Sequence, residues 1–443
     1  MKVVVIGGVA AGMSAAMQAR RRDPTAVIDV YERGPFVSYG ACGLPYNIAH
    51  PARDIADLVV RTPEQFAGQG ISVHLGHEVT ALRTGEVQVR DLVSGAQSTV
   101  ACDSIVLATG ARAVRPPLDG ADQDGVMVMR ELTDGAELKR RLGDRRPRSA
   151  VVIGGGYVGV EMAESLHARG CRVTLLERAE QLVLGFDAHL ASIVRGELER
   201  NGVHVSTGIT VQRIGARRTV ETDRGDFPAD VVLLAVGVRP NTALASAAGV
   251  ELGVAGAIAV DRQLRTNLPG VWAAGDCATT WHRVSNRPAW IPLGTSANKM
   301  GKIAGANAVG GALAFAGVVG SAGFKAYSVE VARTGLSEVE AREMGMDVVA
   351  IASTHSDRAG HWGPPAQIET VLVVERGSGR LVGAEMAGKG TVAKRIDVFA
   401  TAITAGMTVE DVEALDLTYA PPFAPIYDPV LIAATVARKA VQD

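Results

Sequence analysis

The chain has 443 residues, of which 47% are hydrophobic and 21% charged, and its formal net charge at pH 7 is −2. This length and composition predict about two to three domains of an ordinary soluble α/β protein, and the charge gives no reason to expect nucleic acid or a membrane as a partner. Four cysteines are too few for a disulfide scaffold, and the N-terminus lacks signal-peptide features, so we expect a reducing, cytoplasmic location.

One architectural unit occurs twice, and each copy is a strand, a glycine turn, a helix, a second strand and an acid. The copies cover residues 3–32 and 150–177. In chain order their turns and closing acids are Gly7–Gly12 with Glu32, and Gly154–Gly159 with Glu177.

This pattern is typical of dinucleotide-binding folds. The first glycine makes the tight turn, the middle one lets the backbone approach a pyrophosphate at the helix N-terminus, and the last lets helix and strand pack closely. The acid accepts hydrogen bonds from ribose hydroxyls. The second copy has every element, whereas the first has Val9 in the middle place. Two such copies predict two cofactors.

Cys42 lies between the two turns and has no second cysteine at the two-residue spacing of a dithiol motif. A lone thiol there suggests that electrons pass from one cofactor through a second to sulfur. Pro45 suits a first helical turn, and a helix N-terminus is expected to lower the thiol pKa below about 8.5. The segment itself carries no competing carboxylate. Cys102, Cys171 and Cys277 are predicted to be packing residues.

Further along the chain, three apolar strands end in glycine, and the first two come where returning strands of such units would. They precede Thr109–Gly110, Gly237 and Gly275–Asp276. Asp276 is a candidate acceptor of hydrogen bonds from ribityl or ribose hydroxyls. From about residue 323 the pattern changes to alternating strands, with a hairpin turn predicted at 377–379, and a helix-rich end follows from Val392.

Together with residues 417–423 (Leu-Thr-Tyr-Ala-Pro-Pro-Phe), these motifs resemble the flavoprotein disulfide reductases with two dinucleotide-binding domains. The resemblance covers nearly the whole chain and lies within the single-cysteine branch. That branch includes coenzyme A-disulfide reductases, NADH oxidases, NADH peroxidases and persulfide or polysulfide reductases. Valine in the middle of the first turn also occurs there.

The resemblance implies an α/β fold with two Rossmann-like domains and a C-terminal α+β dimerisation domain. The FAD-binding domain would be discontinuous, at 1–111 and 240–322. The NAD(P)H-binding domain would cover 112–239, and the dimerisation domain 323–443. The implied assembly is a homodimer in which the last domain lends residues to the partner's active site.

The resemblance also implies site residues, and none of them forms a metal site. Catalytic roles would fall to Cys42, to Tyr419 reaching the partner's cysteine, and to His361, which is either a proton donor or a surface-loop histidine. The implied FAD contacts are Gly7, Gly8, Ala11, Gly12, Glu32, Arg33, Val79, Thr109, Gly110, Arg130, Gly275, Asp276, Gly294 and Thr295. Those for NAD(P)H are Gly154, Gly156, Tyr157, Gly159, Glu161, Glu177 and Gly237, and those for coenzyme A are Gln18, Arg21, Arg22 and Ser38.

Within the branch, the motifs favour reduction of coenzyme A disulfide or a related small disulfide or persulfide. Oxidases and peroxidases usually carry histidine in the first turn, which here reads Val-Ala-Ala. The chain also departs from the coenzyme A-disulfide group, with Ala41 where asparagine is frequent and His361-Trp362 where a tyrosine pair occurs. The basic run 20–22 is either a coenzyme A phosphate site or a solvated helix end.

Glu177 favours NADH, because a carboxylate there binds the 2′-hydroxyl and repels the 2′-phosphate of NADPH. Arg178 would soften that discrimination, so NADPH stays possible. Glu161 is either a contact near the nicotinamide or an ordinary first-turn carboxylate. Three other functions stay open: an NADH oxidase, a flavoprotein that passes electrons to a protein acceptor, and a redox sensor with little turnover.

Overall fold

The computed structural model describes residues 1–144 and 148–442. The helices in these ranges are α1 (Ala10–Arg22), α2 (Leu44–Ala49), α3 (Pro63–Ala67), α4 (Leu132–Asp144), α5 (Tyr157–Ala168), α6 (Ala188–Arg200), α7 (Ala243–Ala247), α8 (Gly294–Ala308), α9 (Glu338–Glu343), α10 (Val392–Ala405), α11 (Val409–Glu413) and α12 (Pro429–Gln442). Within the same ranges, no helix combines the length and apolar character needed to cross a lipid bilayer.

The strands are, in chain order, β1 (Lys2–Ile6), β2 (Val27–Glu32), β3 (Ile71–Leu75), β4 (His77–Arg83), β5 (Glu86–Asp91), β6 (Gln97–Ala101), β7 (Ser104–Leu107), β8 (Ala111–Ala113), β9 (Val126–Val128), β10 (Ser149–Ile153), β11 (Arg172–Leu176), β12 (His204–Ser206), β13 (Val211–Ile214), β14 (Thr219–Thr222), β15 (Gly225–Pro228), β16 (Val231–Leu234), β17 (Val238–Pro240), β18 (Val271–Ala273), β19 (Thr280–His282), β20 (Arg287–Ala289), β21 (Ala322–Ala326), β22 (Val329–Gly335), β23 (Val348–Ser356), β24 (Gln367–Glu375) and β25 (Leu381–Gly388).

Two parallel sheets have the same strand order. The first runs β18-β7-β1-β2-β3 and the second β9-β16-β10-β11-β12, and every ladder in both is parallel. Helix α1 connects β1 to β2, and α5 connects β10 to β11, so each glycine turn occupies the same place in its sheet. The predicted α/β fold with two Rossmann-like units is confirmed.

The central strands read as unbroken apolar runs because parallel strands are buried on both faces. Val3, Val4 and Val5 of β1 are each 0% exposed. The last sheet is antiparallel, in the order β21-β22-β25-β24-β23, and α10 and α12 pack against it. Its β24–β25 hairpin turns at residues 377–379, as predicted, with positive φ at Gly377 and Gly379.

The chain leaves the first parallel sheet for the second and later returns, and the outgoing and returning segments lie side by side. There β8 pairs antiparallel with β17. After the return, β18 joins the first sheet beside β7, which supports the discontinuous first domain. The boundaries at 111, 239 and 322 stay a prediction.

Helix α8 packs on α1 at a distance that only glycine allows. A Cβ atom on Gly301 would lie 2.2 Å from the carbonyl oxygen of Ala11, and one on Gly305 would lie 2.0 Å from that of Ala15. This close contact attaches the returning segment to the helix that follows the first glycine turn.

Helix α2, which follows Cys42, packs away from its own sheet. In sequence it lies between β2 and β3 of the first sheet. Its apolar side chains Leu44 and Ile48, 1% and 0% exposed, instead join the core that surrounds the second sheet. The second unit therefore supplies the surface on which the cysteine segment rests.

Candidate active site

Both glycine turns have the same steric requirements. Gly7 and Gly154 have φ of +104° and +109°, and a Cβ on either would lie 2.2 or 2.4 Å from a carbonyl oxygen just past the neighbouring strand. A Cβ on Gly12 or Gly159 would lie 1.8 or 1.9 Å from the carbonyl oxygen of the turn's first glycine. No other residue fits these four places without moving the backbone.

The two closing acids hold the turns together. A carboxylate oxygen of Glu32 accepts from the backbone N–H of Gly8 at 2.7 Å, and one of Glu177 accepts from that of Gly155 at 2.7 Å. Each acid's second oxygen accepts from an N–H two residues further on, at 2.7 and 2.8 Å. The sequence assigned these acids to ribose alone. A carboxylate has about four acceptor sites, so both contacts are compatible.

The turns leave room for an anion at each helix N-terminus. Val9 and Gly156 are the N-caps of α1 and α5, and neither helix receives a side-chain cap there. The first backbone N–H groups of each helix are therefore available to a phosphate. A Cβ on Gly156 would meet nothing within 4 Å, and the same holds at Gly110 and Gly237. The donor set and the open space fit a dinucleotide at each turn.

Two residues expected to contact FAD form an ion pair with each other. Arg130 lies 2.6 Å from the carboxylate of Asp276 and also donates to the carbonyl of Ala111 at 3.0 Å. The hydroxyl of Thr109 donates to the carbonyl of Asn241 at 2.7 Å. The structure thus brings these segments to one place but gives their side chains protein partners.

The other residues of the expected FAD set are distributed over the first unit. Arg33 makes an exposed ion pair with Glu131 at 3.0 Å. Val79 is buried in the core of this unit. Gly294 and Thr295 form the exposed first turn of α8.

Cys42 sits on a short 3₁₀ helix, Ala41–Gly43, that continues into α2. Its side chain is exposed, whereas the other three cysteines are buried as predicted. The expected lowering of its pKa is wrong. Although the residue reaches the surface, the protein around the thiol partly desolvates it and raises its pKa, and the Glu161 carboxylate adds to the rise while Arg130 opposes it. The sequence pattern missed this carboxylate because it arrives from α5 of the second unit.

Glu161 is bound by a residue that the sequence analysis left out. The Tyr46 hydroxyl donates to its carboxylate at 2.5 Å. Burial raises the pKa of Glu161, and this hydrogen bond opposes the rise. Tyr46 lies four residues after Cys42, one helical turn along the same segment, and that spacing was the available signal. Lys325 lies 5.6 Å above the Tyr46 ring.

Tyr157, expected to contact NAD(P)H, begins α5. Its ring stacks on Phe324 of β21 at 5.0 Å and meets Phe186 edge-on at 6.0 Å. This contact joins the second unit to the C-terminal sheet at the place where α5 starts.

The residues expected to hold coenzyme A lie around the end of α1 and the Cys42 segment. Arg21 and Arg22 are exposed and Gln18 is half-buried. Arg20 is a structural residue, because its guanidinium donates to two backbone carbonyls at 2.5 and 2.6 Å. Ser38 has a φ of +51°, a strained value for a residue other than glycine.

The C-terminal candidates are exposed. His361 lies on a short 3₁₀ helix, Gly360–Trp362, and Tyr419 is 43% exposed. Other large apolar side chains nearby in sequence are exposed too: Trp362 by 60%, Phe423 by 73%, Ile426 by 67% and Tyr427 by 69%. So much exposed apolar surface is typical of a region that binds a partner.

Arg395 joins these two C-terminal segments. Buried, it donates to the backbone carbonyl of Asp357 at 2.8 Å and to that of Phe423 at 3.0 Å, and it pairs with Asp428 at 3.0 Å. The loop that carries His361 and the segment that carries Tyr419 are therefore held as one piece.

Three similar proteins cover nearly all of the chain. A Pyrococcus horikoshii protein named NAD(P)H coenzyme A polysulfide/persulfide reductase is 37% identical over 99% of this chain and 98% of its own length. An Enterococcus faecalis NADH oxidase is 30% identical over 96% of each chain. The solved NAD-dependent persulfide reductase from A. fulgidus is 37% identical, with a TM-score of 0.96 over 99% of this chain and 83% of that one.

Two family models match the chain. The model of the pyridine nucleotide-disulphide oxidoreductases covers residues 1–301, and that of their dimerisation domain covers 321–428. The chain therefore belongs to the pyridine nucleotide-disulphide oxidoreductase family.

Proposed function

We propose that the protein uses NADH and FAD to reduce coenzyme A disulfide, or a related low-molecular-weight disulfide or persulfide, at Cys42. The observation that carries the proposal is the placement of this thiol. It is the one exposed cysteine, on a segment of the first nucleotide-binding unit that rests on the second. A thiol in that position is accessible to solvent and to both units.

The two cradles divide the cofactors between them. The turn Gly7–Gly12 with Glu32 would hold FAD, and the turn Gly154–Gly159 with Glu177 would hold the nicotinamide nucleotide. FAD, when bound, supplies two-electron transfer between the nucleotide and sulfur. The names of the relatives, which include NAD(P)H and coenzyme A, support a nicotinamide nucleotide as the reductant.

The sulfur chemistry balances with one thiol. The Cys42 thiolate attacks one sulfur of the substrate disulfide, forms a mixed disulfide and expels the other half as a thiolate. Two electrons from NADH then cleave the mixed disulfide, release the second half as a thiol and restore the Cys42 thiolate. Solvent protons complete the products. The hydrogen-bonded Tyr46 and Glu161 pair holds a proton beside this site.

We also propose the finer assignments that the sequence raised. Gln18, Arg21, Arg22 and Ser38 would contact coenzyme A. The protein would act as a cytoplasmic homodimer in which Tyr419 reaches the partner's thiol. The exposed apolar side chains around Tyr419 support a partner on that face, and His361, on the joined loop, is a candidate proton donor.

A Cys42→Ser variant tests the proposal. A serine hydroxyl ionises too weakly at neutral pH to replace a thiolate, and it forms no mixed disulfide. The holoenzyme should keep flavin reduction by NADH in rapid-reaction spectroscopy but lose thiol production from coenzyme A disulfide and from polysulfide.

Cys102→Ser is the matched control, since Cys102 is buried, and it should keep both activities. Wild-type turnover by Cys42→Ser would overturn the thiol function. If that variant and the wild type instead consume oxygen equally fast and make no thiol, the alternative function, an NADH oxidase, replaces the proposal.

A further inference from the structure

The second nucleotide-binding unit makes several hydrogen bonds to α2, the helix that follows Cys42. Two side chains of the α5 segment, four residues apart and so on one face, bind successive parts of α2. The Ser165 hydroxyl shares its one proton between the carbonyl of Pro45 at 2.8 Å and the carbonyl of Glu161 in its own helix at 2.7 Å, and Arg169 donates to the carbonyl of Ile48 at 3.0 Å. Both acceptors on α2 are backbone atoms, so the contacts fix the path of the chain.

Glu161 extends the same face by one more turn toward the start of α5. It binds the Tyr46 hydroxyl of α2. Side chains at three positions, each one helical turn apart along α5 and its C-cap, therefore touch the cysteine's helix. The N-cap of α5 is Gly156, in the turn expected to hold the nucleotide pyrophosphate. One helix thus carries the nucleotide turn at one end and the α2 contacts along its length.

Lys139 of α4 closes the other end of α2. Its ammonium donates to the backbone and side-chain oxygens of Asn47 at 3.2 and 2.9 Å, to the carbonyl of His50 at 3.1 Å, and to the carbonyl of Arg53. The last carbonyls of a helix have no partner within it. Here one cation from the second unit supplies that partner and also ties down the chain beyond the helix.

Apolar packing supports the same attachment of α2 to the second unit. A Cβ on Gly135 of α4 would lie 2.5 Å from a methyl carbon of Leu44 and 3.0 Å from one of Ile55. Helix α4 therefore approaches the cysteine segment as closely as its backbone allows, on the side where Lys139 binds.

We propose that Lys139, Ser165 and Arg169 are positioning residues for Cys42, through which the NAD(P)H-binding unit sets the place of the thiol. This inference rests on the proposed function, in which Cys42 is the redox thiol. None of the three touches the thiol itself. They act through the backbone of α2, so their loss should change where Cys42 lies and how it reacts.

Lys139→Met in the holoenzyme tests the inference. In the intact protein, burial and the nearby Glu161 carboxylate raise the pKa of the Cys42 thiol. Freed from α4, the thiol should become better solvated and move away from Glu161, so both effects should weaken. The pH midpoint of Cys42 alkylation by iodoacetamide, followed by peptide mass spectrometry, should therefore fall by about 0.5 unit or more. Disulfide turnover should fall by about tenfold or more, while flavin reduction by NADH changes less than about twofold.

Two further variants complete the design. Lys139→Arg keeps a cation with several donors and should recover most of the turnover and the alkylation midpoint. Lys394→Met removes an exposed lysine from α10 and should match the wild type. A residue that only stabilised the fold would lower the melting temperature and leave the alkylation midpoint unchanged.

A folded, FAD-loaded Lys139→Met enzyme with wild-type midpoint and turnover would overturn the inference. If that variant does not fold, Ser165→Ala takes its place. It removes only one hydroxyl group, so we expect a loss of turnover of about threefold. Cys42→Ser separates the two proposals. If Cys42→Ser loses turnover and Lys139→Met keeps it, only the positioning role is contradicted. If Cys42→Ser keeps full turnover, the proposed function is contradicted.

Discussion

The two nucleotide-binding units are alike in topology and differ in what they contribute to the cysteine. Their sheets share one strand order, and their turns share the same glycine requirements and the same acid-to-turn hydrogen bond. The first unit carries Cys42 in its chain, but the second supplies Glu161, Lys139 and the core under α2. The second unit thus combines an intact nucleotide turn with the contacts that support the Cys42 segment.

The sharpest test of the comparison exchanges the last glycine of each turn for alanine. Gly12→Ala and Gly159→Ala each place a methyl group within 1.9 Å of a backbone oxygen, so each should open only its own turn. Gly12→Ala should purify without yellow colour. Gly159→Ala should keep its FAD but lose NADH-dependent flavin reduction by at least about 100-fold.

Gly143→Ala is the matched control, because its Cβ would meet nothing within 4 Å and it lies exposed in the last turn of α4. It should retain FAD and flavin reduction. If Gly159→Ala loses FAD and Gly12→Ala loses NADH binding, the assignment of cofactors to the two cradles is reversed.

The next test concerns the acid of the second cradle. Glu177→Ala removes the carboxylate that would bind the 2′-hydroxyl of NADH and repel the 2′-phosphate of NADPH. The ratio of the rate of flavin reduction by NADH to that by NADPH, measured by rapid-reaction spectroscopy, should fall by about tenfold. Because Glu177 also holds the N–H groups of Gly155 and Ala179, NADH binding should weaken as well. A wild-type preference for NADPH would show that Arg178 dominates instead.

The smallest effect is expected where the second unit meets the C-terminal sheet, a contact that involves a buried acid. Glu385 is 2% exposed and accepts from the N–H of Asp187 at 2.7 Å, beside Arg333 and Glu340. Burial raises the pKa of Glu385 to about 7 from 4.5. Between these values the folded chain binds more protons than the unfolded chain, so its stability falls as pH rises.

Glu385→Gln removes that titration, which is worth up to about 3 kcal/mol. The fall in melting temperature between pH 4.5 and 7 should become shallower by several degrees in scanning calorimetry. An unchanged pH profile would show that Glu385 is ionised in the folded protein across this range.

The elements set by local sequence were predictable. Both strand–turn–helix–strand units, the acids Glu32 and Glu177 and the hairpin at 377–379 follow from short spacings and from apolar runs that any buried parallel strand requires. Because these steric requirements act between residues close together in the chain, they produce sequence patterns from which the elements can be predicted.

The contacts that shape the thiol's surroundings were not predictable from such patterns. The Tyr46 and Glu161 hydrogen bond, the Arg130 and Asp276 ion pair and the hydrogen bonds of Lys139 to α2 join residues far apart in sequence. Each partner looks like an ordinary polar side chain on its own. The error about the Cys42 pKa has the same cause, since burial, the main reason for the rise, and the Glu161 carboxylate both come from packing between segments far apart in sequence.

The most direct test of the central claim is the intact mass of the protein after one turnover is interrupted. Holoenzyme with oxidised flavin and a free Cys42 thiol, incubated with coenzyme A disulfide and without NADH, should gain the mass of one coenzyme A per chain, mapped by peptide analysis to Cys42, and NADH should remove it. An unmodified Cys42, or an adduct that NADH does not remove, in an enzyme that nevertheless reduces the disulfide would contradict the account.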